Sequence, residues 1–188
     1  MTPLKALIVA ALALGLGPGS AAAEDAAKSY SPEEIYASSE GFFGETTEGL
    51  AKVIEKVFSD LGRPNAYIAG EEFAGAIGIG LRYGKGTLHR KDGSGAREVY
   101  WQGPSIGFDF GANAAKAFVL VYHLADSEKL YQRFPGVEGT AYFVGGVGVN
   151  YQQSGDIILA PIRLGVGLRA GANIGYLHYN QEFSWLPF

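Results

Sequence analysis

The 188-residue chain has no cysteine, one methionine and only three histidines. Without cysteine there is no disulfide to staple the fold, and no residue to carry a lipoprotein's acyl anchor. Basic charge is also short: 15 Lys and Arg against 19 Asp and Glu leave a net charge of −4, which argues against general nucleic-acid binding. The histidines His89, His123 and His178 show no i,i+4 pairing and no carboxylate at ligand spacing, so neither a metal site nor a cofactor is expected. The apolar stretch at residues 4–16 falls short of the about 20 residues that a membrane-spanning helix needs.

That stretch has another reading. Lys5 gives it a weak positive start, Gly17-Pro18-Gly19 breaks it, and Ala21-Ala22-Ala23 follows as an A-x-A cleavage site before Glu24. This is the layout of a secretory signal peptide, and it predicts cleavage near Ala23 and a periplasmic product. Losing Lys5 would take the net charge from −4 to −5. Residues 24–30 are small and polar and read as a flexible lead. Residues 31–188 then form a single domain, long enough to bury a core.

What the chain has in excess is glycine, often at alternate positions. Gly78, Gly80, Gly84 and Gly86 alternate with Ile77, Ile79, Leu81 and Tyr83, and the pattern returns around Gly146 and Gly148 and at Gly165 and Gly167. Side chains alternate across a strand, so such strands carry one apolar face and one nearly bare face. Interior glycine costs strand stability, so its abundance points to sharp bending or to close approach by another group. Before the strands come two helices. Ser31-Pro32-Glu33-Glu34 starts a short one with a capping box, ended by Gly41 and Gly44. Residues 47–61 form the main one, with Leu50, Val53, Ile54, Val57, Phe58 and Leu61 on a single face and Gly62 and Pro64 as its stop.

Strands are expected at residues 66–69, 75–83, 87–90, 99–102, 105–112, 117–124, 140–151, 157–172 (one strand or two) and 175–180, with one short helix at 127–134. The run from Ala117 to Tyr122 does not alternate and should be covered on both faces. The expected fold is mainly β: a small antiparallel barrel of about eight strands, with one or two packing helices at its N-terminal side.

Four constellations could carry function. Gly103-Pro104-Ser105-Ile106-Gly107 matches the G-x-S-x-G nucleophile pattern, but an alternating strand follows where a helix is required. Ser105 is therefore read as a small residue at a strand start, not as a catalytic serine. Glycine-rich segments fit neither the dinucleotide nor the phosphate-loop spacing. Arg82, Lys85, His89, Arg90 and Lys91 cluster on one hairpin beside Tyr83; they suit the phosphates of anionic lipid or lipopolysaccharide, and equally a charged edge hairpin. Asp109, Arg82, Arg163 and Arg169 interrupt the glycine-bearing faces and would meet inside a barrel, where each buried charge needs a partner. A structural ion pair is favoured over a ligand site.

Longer motifs carry a resemblance. Val99-Tyr-Trp-Gln-Gly-Pro-Ser-Ile-Gly-Phe-Asp109, the earlier Pro64-Asn-Ala-Tyr-Ile-Ala-Gly-Glu-Glu72 and Gly80-Leu-Arg-Tyr-Gly-Lys-Gly86 resemble the envelope integrity protein A family. So do Ala160-Pro-Ile-Arg-Leu-Gly-Val-Gly-Leu-Arg-Ala-Gly-Ala-Asn173 and the closing Trp185-Leu-Pro-Phe188. The resemblance covers nearly all of the chain after residue 23. It implies a soluble periplasmic barrel that supports the envelope of Gram-negative bacteria and its resistance to stress, without assigned catalysis. A weaker similarity, through Tyr83-Gly84-x-Gly86, Trp101, Pro104, Ser105-Ile106-Gly107 and Gly111, reaches the SYLF lipid-binding domains. That similarity implies a membrane or lipid partner. The chain departs from those domains in its first helices, which are not strongly basic, and at Asp109. Two rivals remain at this point: an eight-stranded outer-membrane barrel, and an envelope hydrolase acting through Ser105.

Overall fold

The computed structural model describes residues 27–44, 47–75, 78–107, 115–164 and 175–184. Helix α1 spans Pro32–Phe43. The Ser31 side chain accepts from the Glu34 amide while the Glu34 side chain accepts from the Ser31 amide, so two orphan donors of the first turn are satisfied. Gly41 lies inside this helix and does not end it; Gly44, in the left-handed region, is the stop. Helix α2 spans Glu48–Leu61 and is capped by Thr47, with Leu50, Val53, Ile54 and Val57 fully buried.

Among the described residues ten strands follow, all paired antiparallel. They are β1 (Ala66–Gly75), β2 (Gly78–Arg90), β3 (Ala96–Gly107), β4 (Ala115–Tyr122), β5 (Arg133–Pro135), β6 (Tyr142–Val144), β7 (Val147–Val149), β8 (Gln152–Ser154), β9 (Ile157–Leu164) and β10 (Tyr176–Asn180). Their order in the sheet is β5-β10-β3-β2-β1-β4-β9-β7-β6, and β8 also pairs with β9. A bridge between Gly136 and Gln152 joins the β5 end to β8. The sheet thus curls into a barrel-like ring of eight strands, with the β6–β7 hairpin branching from the far end of β9.

Two cores lie on opposite sides of the sheet. Inside the ring, Ile68, Leu88, Val99, Trp101, Val119, Val121, Phe134, Leu159, Leu177 and Tyr179 pack together. Outside it, Ile35, Leu50, Val53, Ile54 and Val57 of the helices cover Phe118, Leu120 and Tyr122 of β4, together with Val147, Val149 and Ile162. Strand β4 therefore alternates between two buried environments, which is why its sequence does not alternate in polarity.

Several expected boundaries move. Residues 66–69 prove to be the start of a ten-residue strand. Residues 78–83 and 87–90 are one strand, whereas Gly75 ends β1 and residues 76 and 77 lie outside the described residues; Gly103-Pro104, expected as a turn, lies within β3. A β-carbon at Gly103 would come 2.1 Å from the Tyr176 carbonyl oxygen, so glycine marks close approach of the next strand here. The β10 ladder covers Tyr100–Gln102 and stops short of Pro104, which has no N–H to offer. The helix expected at 127–134 is a single 3-10 turn, Ser127–Leu130, before β5. The 140–151 strand is the hairpin β6–β7, turned by Gly145-Gly146 at positive φ.

Candidate functional site: a buried ion-pair network in the ring

Alternation places Ala66, Ile68, Gly70 and Glu72 of β1 on the inner face, so the last of them carries a carboxylate into the core; only 4% of Glu72 is exposed. Directly across the ladder from Glu72 is Gly84. The missing side chain there matters: a β-carbon at Gly84 would sit 2.0 Å from Trp101 Cε2, and one at Gly70 would sit 2.7 Å from Trp101 Cη2. The indole of Trp101 fills the space these two glycines leave, and its Nε1 donates to Glu72 Oε1 at 2.9 Å.

Arg163 arrives from β9, two strands away. Its Nε donates to Glu72 Oε2 at 2.7 Å and its Nη2 to Oε1 at 3.0 Å, a bidentate fork that fixes the carboxylate plane. The remaining end of the guanidinium, Nη1, donates to Asn150 Oδ1 at 3.0 Å. Arg82 of β2 adds a second cation, with Nε 3.8 Å from Glu72 Oε2. Tyr179 packs its ring on Trp101 at 5.8 Å and on Phe134 at 5.6 Å. Its hydroxyl is buried and has no hydrogen-bond partner among the described residues.

Burial on its own would raise the Glu72 pKa; Arg163 and Arg82, with the hydrogen bonds from Arg163 and Trp101, hold it well below the usual carboxylate range. Burial likewise opposes the charge on Arg163, and Glu72 outweighs it, so the guanidinium is held above its ordinary value. Burial, then the Glu72 charge, pushes the Tyr179 phenol far up, so it stays neutral. The arrangement is a locked charge cluster. Its strongest donors and acceptors are turned on one another, as a structural ion pair requires.

The expected inner cluster is thus half assembled. Arg82 and Arg163 do share the interior, while Asp109 and Arg169 lie outside the described residues. The carboxylate between the two arginines is Glu72, which the sequence reading missed because it ended β1 at Ala69. Two more turns of period-two alternation from Ala66 and Ile68 would have placed it on the inner face.

The expected cationic patch does not form one surface. Arg82 turns into the ring, with 13% of its side chain exposed. Lys85 pairs with Glu98 at 3.0 Å. His89 stacks on Tyr67 at 4.8 Å, and burial lowers its pKa. Arg90 donates to the Ala125 carbonyl at 3.1 Å and pairs with Asp92 at 2.5 Å, while Lys91 pairs with Glu34.

Ser105 stands on β3 opposite Gly80, and the strand continues through Gly107 instead of turning into a helix. His178 is aligned with Gln102 on β10, and His123 meets the Asp156 carbonyl through Nδ1 at 2.9 Å. Pro104 and Trp101 of the family motif lie on the same strand; Gly111 is outside the described residues. Among the described residues no group of three His, Asp or Glu side chains is placed to hold a metal ion. No described helix is long and apolar enough to cross a membrane.

A beta-barrel-like, uncharacterized protein from Brucella abortus has a solved structure that superposes on this chain with a TM-score of 0.78. The two are 48% identical over 86% of this chain and 99% of that one. None of the curated proteins matches the chain. The family model for envelope integrity protein A matches residues 28–188, which takes in both helices and every strand of the ring. The chain belongs to the envelope integrity protein A family.

Proposed function

We propose that the protein acts in the periplasm, after removal of residues 1–23, as a soluble and non-catalytic barrel that maintains the envelope under stress by holding an amphiphile. The observation that carries this reading is the outer face of β1–β3. Among the described residues the helices cover β4, β7, β9 and, at Tyr67 and Ala69, the start of β1, while the Phe73 and Leu81 end of this face stays exposed. There Phe73 is 52% exposed and Leu81 39% exposed, with Tyr83 between them in the ladder and Lys85 further along β2. Apolar area with a cation at its edge suits a lipid or a lipid-bearing glycan such as lipopolysaccharide. The interior supports a structural rather than catalytic role, because its carboxylate and guanidinium groups are engaged with each other. An outer-membrane barrel fits less well. Its outward residues should form a continuous apolar band, whereas β1–β3 present Glu71, Lys85 and Glu98 outward between their aromatics.

The test is native mass spectrometry of protein released from its own periplasm by osmotic shock. An adduct of lipid mass is expected, and it should be lost in Phe73→Asp/Leu81→Asp. Protein that needs detergent for release, or that carries the adduct equally in the variant, overturns the reading. Labelling by a fluorophosphonate probe that disappears in Ser105→Ala would replace it with the hydrolase.

A further inference from the structure

Leu177 and Tyr179 of β10 point into the ring, as does Phe134 of β5, so alternation turns Tyr176, His178 and Arg133 to the outer surface. His178 faces Arg133 across the β10–β5 ladder and Gln102 across the β10–β3 ladder. Opposite residues in such ladders hold their β-carbons about 4.5–5.5 Å apart, so the imidazole and the guanidinium are neighbours. Arg133 is exposed, and its Cζ lies 5.0 Å from the centre of the Tyr176 ring. This cation–π contact steadies the guanidinium without using any of its N–H donors. The other described arginines are engaged: Arg82 and Arg163 with Glu72, Arg90 with Asp92, Arg97 with Glu128, and Arg63 with the Tyr30 carbonyl. Arg133 has neither a carboxylate nor a carbonyl partner among the described residues. The His178 ring shares this state, since its Nδ1 is buried with no partner among the described residues. With no acceptor there, the proton of the neutral ring belongs on Nε2, which makes Nε2 a donor. Burial and the Arg133 charge together hold the His178 pKa below its ordinary value, and no carboxylate among the described residues opposes them.

We propose that Arg133 and His178 form a binding site for a phosphate group on the outer surface of β5 and β10. The guanidinium fork suits two phosphate oxygens, and the Nε2–H of His178 can donate to a third. A carboxylate has only two oxygens, both of which the fork would take, so a tetrahedral oxyanion uses the pair more fully. Phosphate also supplies the negative charge that these two side chains lack. The imidazole is held in place between Arg133 and Gln102, which is only 2% exposed, so little order is lost on binding. A lipid headgroup and the free ion present the same oxygens, and the test below separates them. The site stands on β5 and β10, apart from Phe73 and Leu81 on β1 and β2, and does not depend on the amphiphile reading.

The chain has three histidines, so the imidazole NMR signals of His89, His123 and His178 can be followed one by one. When inorganic phosphate is added at constant ionic strength, the His178 signal should shift saturably. Its pKa should rise as well, because a bound anion favours the charged imidazole, while His89 and His123 stay in place. Arg133→Gln changes an exposed residue, so the fold should survive it. It should weaken phosphate binding at least about ten-fold, since the charge-assisted fork is lost. Arg133→Lys, which keeps the charge without the fork, should fall between the two. A second arm replaces phosphate with phosphatidylglycerol vesicles. A His178 shift with these vesicles, lost in Arg133→Gln, assigns the phosphate to a lipid headgroup; a shift with inorganic phosphate alone assigns it to the free ion. No saturable shift at His178 with either probe, the same shift at all three histidines, or a shift unchanged in Arg133→Gln overturns the site.

Discussion

Replacing Glu72 by alanine removes the carboxylate from between two guanidinium groups and leaves the Trp101 N–H without its acceptor. Breaking a buried pair in this way costs about 3–5 kcal/mol, because the surviving charge stays in a medium that solvates it poorly. For a domain of this size each kcal/mol moves Tm by about 2–4 °C, so Glu72→Ala should melt roughly 6–20 °C below the native chain. The reverse change is gentler: Arg163→Met leaves the Glu72 carboxylate still 3.8 Å from Arg82. The double variant Glu72→Ala/Arg163→Met should therefore lose less than the sum of the singles, with a coupling of about 0.5–3 kcal/mol. Urea denaturation followed by circular dichroism, with thermal melts alongside, measures all three. Additive losses, or a Glu72→Ala protein as stable as the native one, would refute the claim that this carboxylate is the keystone of the inner charge cluster.

The same carboxylate sets an acid limit. Its folded pKa is depressed below the unfolded value of about 4.3, so its stabilisation is full above that pH and is lost as pH falls through the folded value; Glu72→Gln should flatten this part of the stability–pH curve. Gly84→Ala should destabilise by about 1–3 kcal/mol or more, since the indole it would strike is held by its bond to Glu72; denaturant midpoints will show a shift of a few tenths only if the ring moves aside. Tyr151→Phe deletes a 2.6 Å bond to Asp60 and should cost about 1.5–3 kcal/mol, whereas Tyr122→Phe removes a buried hydroxyl with no partner among the described residues and should be neutral or stabilising; equal effects would contradict the hydrogen-bond assignment. N-terminal sequencing of periplasmic material should begin at or within a few residues of Glu24, and an intact Met1 would remove the export argument.

The helices were the most legible part of this chain because their signals are local. Ser31, Glu34 and Thr47 act on amides within three residues, and the apolar face of α2 is written at helical spacing. The covered state of β4 was legible for a similar reason, in its own unbroken apolar run. Strand ends were not. Gly103-Pro104 looks like a turn in isolation and is a strand because it pairs with Arg82 and Leu81 of β2, while Tyr176 presses on Gly103 from a segment some seventy residues away. β5 and β8 are three residues long and owe their extended form to neighbours rather than to composition. In the site, Arg82 and Arg163 were readable as charges set among glycines. Glu72 was not, since it depends on how far β1 extends, and that length is fixed by pairing with β2 over ten positions.

The ring is held unevenly around its circumference. β2 and β3 share twelve paired positions, while β5 and β8 meet through Gly136 and Gln152, reinforced by Ser154 donating to Gln132 at 2.9 Å. The Glu72 network ties β9, β1, β2 and β3, and none of its members stands on β5 or β8. Thermal breathing should therefore begin at this slender seam, with amides near residues 132–137 and 152–154 exchanging with solvent well before those of β1 and β2. Such an opening would turn the ring into a hinged, still-folded sheet whose charged rivet is undisturbed. The seam would then be a side door in the wall of the ring, two residues along the chain from Asn150, which holds one end of the Arg163 guanidinium.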